Sequence, residues 1–405
     1  MIGVITIILL MTTTMMLANV LYFFNIGYEN QYSQISIVFF ILLSSIYIFK
    51  NYGNIKFKIS KISNLLLLFM TMITIFGFIL LGNIFDISNL AFKILSLSKI
   101  IFFYFVILLI NQISIEDINI IIKKNISLFI FIIMITLLIF YLDMHHVVHL
   151  KDRLIAYQDR FAALCFELVD FSYLLFILLI LSYKNSKYWL LQFIAIIYLL
   201  SLTKSNSIVV YVVFLMFYLI VYKFQFIRKY IFVFMSLVVL VVIYIFSSVK
   251  VIDNILREMS VFLPRMGSLL DPDSPIYKRL MPNIEALLYL KDHFFYIPSG
   301  ISSSKYLFMH TENVHGSVAG IFIFLIDFGV FGLFMIFILL YLISKLLNRQ
   351  INNLNVFKAE AIIFLSASYF IFQPSYLNFT VWTIILLSTR YITLIKYKID
   401  KEKFI

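Results

Sequence analysis

Eight side chains in this chain could handle a phosphate or a hydroxyl proton: Arg153, Arg160, Lys204, Arg257, Arg265 and Arg279 as cations, and Glu167 and His315 as proton acceptors. A guanidinium grips two phosphate oxygens in a fork, and an ammonium meets them as a point charge. An imidazole with an ordinary pKa near 6.5 can take a proton from a hydroxyl, and so can a carboxylate. Each cation has a plainer reading as well, since Arg and Lys at a membrane surface snorkel to lipid phosphate. Glu167 and Asp170 are three residues apart, on one face of an expected helix and within two turns of Arg160. For Asp170 the expected role is a structural ion pair, while Glu167 stays open between structure and catalysis. Lys99 and Asp327 are the other charges set within apolar runs.

Two further patterns carry less. His145 and His149 stand at i, i+4, a spacing that clamps a metal on a helix, but only Asp143 and Asp152 are near enough in sequence to complete the ligand set. Asp271-Pro272-Asp273-Ser274-Pro275 contains an Asp-x-Asp, and its composition is that of a turn. No metal or other cofactor is expected. The single cysteine, Cys165, excludes an intramolecular disulfide and a four-cysteine zinc site.

The elements that must hold these groups follow from composition. Of 405 residues, 63% are apolar and 13% charged, against about 25% charged in soluble domains. One water-soluble core cannot absorb that much apolar surface, so an all-α polytopic membrane protein is expected. About twelve transmembrane helices can be marked, at 2–25, 35–49, 64–81, 94–110, 126–142, 161–182, 188–202, 208–222, 230–249, 317–340, 359–372 and 376–389. The first is read as an uncleaved span, because no positive segment or small-residue cleavage site accompanies it. Three parts result: nine helices over 1–249, a large external loop over 250–316 between spans nine and ten, and C-terminal helices with a cytosolic tail over 317–405. The loop holds five of the six prolines and is too long for a mere connector.

The formal charge of +12 sets the orientation. With both termini in the cytoplasm, the cytosolic segments collect 19 of the 32 basic residues and five of the 20 acidic ones. Their net is +14, leaving −2 elsewhere, as the positive-inside rule demands. Nucleic acid is not an expected partner, for no basic run tracks a phosphate backbone. All six histidines and the outward arginines then face away from the cytosol.

Twelve spans with one large outer loop late in the chain resemble the Wzy-type O-antigen polymerases and the related O-antigen ligases. Arg160-Phe161-Ala162-Ala163-Leu164-Cys165-Phe166-Glu167 is similar to that family's Arg followed seven residues later by Glu, without its Gly and Pro. Thr203-Lys204-Ser205-Asn206-Ser207 resembles its Thr-x-Ser-Arg turn, with Asn206 in place of Arg. The series Arg265, Asp273-Ser274, Arg279 and Pro298-Ser299-Gly300 resembles the loop motifs. His315 followed by Gly329-Val330-Phe331-Gly332 resembles the ligase pattern with a longer spacing, which favours polymerase.

The resemblance implies a metal-independent glycosyltransferase in the bacterial inner membrane that joins undecaprenyl-pyrophosphate-linked repeat units on the periplasmic face. Under it, Arg160, Lys204, Arg265 and Arg279 hold pyrophosphate, Arg279 stabilises the departing charge, and His315 or Glu167 serves as base. Membrane lipid and a polysaccharide chain-length regulator are the other partners it suggests. The alternatives are an O-antigen ligase and, in another class, a lipid-linked oligosaccharide flippase or transporter lined by Lys99, Asp170 and Asp327. A purely structural membrane anchor is a third.

Overall fold

A computed structural model describes residues 100–145 except 102, 156–157, 160–161, 168–184, 187–205, most of 207–240, scattered positions within 42–75 and 283–290, and 320–348, 351–372 and 379–402. Spans expected over 2–25, 35–49 and 64–81, most of 230–249, and the loop 250–316 lie largely or wholly outside these residues. The described residues are almost entirely helical, in keeping with an all-α fold.

A helical stretch over 103–110 leads into α1 (Ile115–Met144). A minimal hairpin follows, β1 (Ala156–Tyr157) paired antiparallel with β2 (Arg160–Phe161), Tyr157 opposite Arg160. Then come α2 (Leu168–Ser182), α3 (Trp189–Thr203), α4 (Ser207–Lys223) and the short α5 (Gln225–Lys229). The C-terminal part holds α6 (Gly320–Leu347), α7 (Leu354–Phe372) and α8 (Phe379–Glu402).

Several boundaries differ from the sequence expectation, each for a local reason. The span expected over 161–182 starts as a helix only at Leu168, because the chain reverses in the hairpin and Phe161 is fully buried between Phe140 and Phe171. Helix α1 begins eleven residues before the apolar run that announces it, so Lys123 and Lys124 belong to its backbone rather than to a loop. Helix α7 starts at Leu354 because Asn353 caps it, its Oδ1 accepting from the N–H groups of Asn355 (2.9 Å) and Val356 (3.3 Å). Helix α8 runs on to Glu402, well past the apolar run ending near 389, carried by contacts of its basic end.

Helix α7 is the hub, packed against α2, α4, α6 and α8. It is buried nearly all round, enclosed by the others. Its polar groups are matched: Ser368 donates to Leu365 O, Ser366 to Ile362 O, and Lys358 to Leu181 O at 3.0 Å.

The peripheral helices are apolar on both faces. In α1, Ile133, Thr136, Leu137 and Phe140 are buried at helical spacing while Phe131, Met134, Ile135 and Leu138 are exposed. In α4 the polarity is inverted: Ser207, Tyr211 and Tyr218 point inward, and Val209, Val213, Met216 and Ile220 point out. A water-facing helix has the opposite arrangement. Helix α6, with 28 residues and a mean hydropathy of 2.7 over its best window, is long and apolar enough to cross a membrane, by length and composition. It is the one such helix among the described residues; α2, α3 and α4 are shorter apolar helices of the same character.

The helix ends sort into two sets. At one end, cations reach the last carbonyls of neighbouring helices: Lys358 to Leu181 of α2, Arg228 Nε to Leu347 of α6, Lys396 to Leu346 of α6, and Arg390 to Asn111 just beyond the 103–110 helix at 2.9 Å. Carbonyls in the last turn of a helix are left without an intrahelical donor and sit at the negative pole of the dipole, which suits a cation as donor. All four cations belong to the set assigned by sequence to the cytosolic side. The opposite end gathers the C-terminal part of α1, the hairpin, the start of α2, the turn from α3 to α4, and the last turn of α7.

Candidate functional site

Of the eight candidate residues, two fall on described backbone and both lie at the end opposite the basic one. Arg160 is in β2, which packs against α3. Lys204 is the C-cap of α3, exposed, with φ 47° and ψ 32°. Arg153, Glu167, Arg257, Arg265, Arg279 and His315 lie outside the described residues, as do Lys99, His146, His149 and Asp271–Asp273. His145 is exposed at the end of α1. Among the described residues no group of three or more metal-ligating side chains occurs.

The turn carrying Lys204 is built for reversal. The helix must stop there because Lys204 adopts the left-handed conformation that ends helices, a role glycine fills more cheaply. Thr203, just inside the cap, is fully buried and donates to Leu200 O at 2.8 Å. Ser205 and Ser207 share a hydrogen bond of 2.7 Å across the turn, and α4 begins. Lys204, exposed, thus immediately precedes the Ser205 hydroxyl and the start of α4, where the Ile208 N–H already bonds to Ser205 O at 3.3 Å.

Beneath this turn lies a polar cluster that sequence reading did not foresee. The Tyr369 hydroxyl of α7 donates to Asp170 Oδ1 in the first turn of α2. Tyr173 and Ser366 are 2.6 Å apart; since Ser366 spends its proton on Ile362 O, Tyr173 is the donor. Tyr211 of α4 donates to Val169 O at 3.4 Å and also contacts Ser207, tying the cluster to the Lys204 turn. The rings of Tyr173 and Tyr369 meet at a tilt of 52°, with centroids 4.9 Å apart. The signal was present as single hydroxyls in otherwise apolar runs, for a buried tyrosine needs a partner. What it lacked was any hint of which runs would meet.

Asp170 was expected to serve an ion pair. Its Oδ1 accepts from the Tyr369 phenol, on a helix 199 residues later in the chain. Asp327 is fully buried in α6, two residues before Gly329. The two glycines of the Gly329-Val330-Phe331-Gly332 segment do different work. Gly329, at φ 57° and ψ −140°, breaks the helical path of α6 in a conformation reserved to glycine. At Gly332 a Cβ would come 3.1 Å from Phe328 Cβ and 3.2 Å from Phe324 O, so the absent side chain permits tight packing.

A second buried group, Arg228 with Glu360 and Tyr218, occupies the basic end. Arg228 Nη2 is 2.5 Å from Glu360 Oε1, and the Tyr218 hydroxyl lies 3.1 Å from both Glu360 Oε2 and Phe357 O. This set joins α4, α5, α6 and α7 and faces away from the Lys204 turn.

Compared with known proteins, the chain matches no protein-family model, no curated protein and no solved structure. Any functional reading accordingly rests on its own residues.

Proposed function

We propose that this chain is a polytopic membrane glycosyltransferase of about twelve spans, acting as a surface-polysaccharide polymerase on lipid-pyrophosphate-linked repeat units at the outer face of the bacterial inner membrane. The observation that supports it most is the turn at Lys204: an exposed cation in a turn joined through Ser207 and Tyr211 to the tyrosine cluster around Asp170, at the bundle end opposite the basic residues. Arg160 shares that end through β2.

In the proposed reaction the acceptor hydroxyl attacks the anomeric carbon of the donor sugar. Its proton passes to His315 or Glu167, and the bond from that carbon to the pyrophosphate oxygen breaks. The electron pair leaves with the pyrophosphate, whose charge Arg160, Lys204, Arg265 and Arg279 offset. The step calls for no cofactor.

A deletion strain complemented with wild-type, Arg279→Ala or His315→Ala chains tests this. The deletion and at least one variant at normal protein level should carry single repeat units instead of long chains. Long chains in both variants remove these residues from the site; loss of even single-unit material favours ligase or flippase. The flippase reading has one observation of its own, the break of α6 at Gly329 beside buried Asp327, because discontinuous helices with midplane carboxylates are common in transporters.

A further inference from the structure

The short helix α5 bends away from α4 at Phe224, whose φ of −102° and ψ of 101° are extended rather than helical. This elbow is fixed from within. Arg228 is buried to 2% and bonded to Leu347 O and Glu360, so one side chain of α5 is tied to both α6 and α7. Ile227 packs half-buried against the core, and the aromatic rings around it turn outward. Phe224, Phe226 and Tyr230 are exposed, Phe226 by 74%, with the Phe226 and Tyr230 rings 4.9 Å apart. Lys223 and Lys229 are also exposed, their ammoniums 6.0 Å from the Phe224 ring and 5.6 Å from the Tyr230 ring. Lys345, exposed in the last turn of α6, lies two residues before the Leu347 carbonyl that receives Arg228.

From this arrangement we infer that the α5 elbow is a docking surface for an anionic phospholipid of the surrounding bilayer, its phosphate met by Lys223, Lys229 and Lys345 and its glycerol and upper acyl region by Phe226 and Tyr230. The inference rests on the membrane-spanning part of the reading above and is independent of the polymerase part. Two physical points argue for it. Glu360, the carboxylate that meets the elbow among the described residues, is already taken up by Arg228, so the exposed charges described on and beside the elbow are those of Lys223, Lys229 and Lys345. Aromatic rings flanking lysines are the composition that settles at headgroup depth, rings toward the acyl boundary and ammoniums toward phosphate. A rigid elbow adds specificity, because the groups are set in place before the lipid arrives.

The test uses the full chain, first shown to stay in membranes after an alkaline carbonate wash, then purified in detergent doped with equal phosphatidylglycerol and phosphatidylcholine. Native mass spectrometry reads which lipid is retained. The wild-type chain should prefer phosphatidylglycerol by about tenfold, with roughly fivefold lost per lysine removed until no preference is left. The triple variant K223Q/K229Q/K345Q should therefore bind both lipids alike, whereas K184Q/K187Q/K398Q, equal in charge, should keep the preference. Because the triple variant could fold poorly, Lys229→Gln alone is measured too and should show a clear partial loss. Equal retention of both lipids by the wild type, or the same loss in both triple variants, overturns the elbow as the site. Release of the chain by carbonate overturns the membrane reading and this inference together.

Discussion

Arg228 Nη2 and Glu360 Oε1 are 2.5 Å apart although 132 residues separate them in the chain, and their side chains are 2% and 1% exposed. The pair holds the elbow after α4 onto the start of α7. A buried ion pair contributes little beyond what apolar residues of like volume would, yet removing one partner strands the other charge. Arg228→Met or Glu360→Leu should each cost about 3–5 kcal/mol, and the double variant should cost much less than the two combined. Thermal unfolding of the purified chain in detergent measures this; simple additivity would show that the pair is not coupled.

Tyr369 and Tyr173 make a matched comparison on neighbouring helices. Tyr369 donates to a carboxylate, and Tyr173 to a serine hydroxyl. Tyr369→Phe should cost about 1.5–3 kcal/mol and Tyr173→Phe about 1 kcal/mol, the difference reflecting the charged acceptor. The same unfolding measurement gives the order; the reverse order would mean that Asp170 is protonated or held by another donor.

Lys204 allows structure and function to be separated. Its φ of 47° is strained for any residue bearing a Cβ. Lys204→Gly should stabilise the chain by about 0.5–1 kcal/mol while removing the cation. If Lys204 grips pyrophosphate, the more stable variant makes shorter or less polysaccharide in the complemented strain. Unchanged chain length would leave Lys204 as a cap alone.

Gly329 and Gly332 should respond unequally. Gly329→Ala forces a side chain into a glycine-only conformation and should cost about 1–3 kcal/mol. Gly332→Ala needs Phe328 to shift a few tenths of an ångström and should cost less. Equal and negligible effects on the unfolding temperature would contradict the break in α6.

Met216 lies on the outward face of α4, 60% exposed. In water Met216→Asp would be nearly neutral, as surface changes are. In lipid it should cost about 2.5–3.5 kcal/mol at the centre of a span and reduce the amount of chain in the membrane fraction severalfold. Wild-type amounts of the variant in carbonate-washed membranes would argue that this face does not meet lipid.

The helical class was legible because apolar runs of bilayer length have one solution, a helix that satisfies its own backbone. The grouping of the basic residues was legible for a related reason, since charge is read by counting. Arg228, Lys358, Arg390 and Lys396 were picked out that way and do gather at one end. Counting did not reveal that they cap the carbonyls of other helices, which depends on where those helices stop. The start of α2 was misjudged for the same kind of reason: Phe161 looks like the first residue of an apolar run, and its burial between Phe140 and Phe171 puts it in a hairpin instead.

The sequence by itself determined the chemistry at hand: a strongly apolar chain, an excess of basic residues clustered near the ends of the apolar runs, and a cation at Lys204 in a turn between two of those runs. Only the tertiary structure decided which buried polar groups meet. Tyr369 finds Asp170 across 199 residues, and Tyr218 and Arg228 find Glu360 across more than 130. Helix propensity and hydropathy act within a few turns of chain, whereas a buried hydroxyl or charge is satisfied by whatever helix packs beside it. That choice is made by the packing around α7.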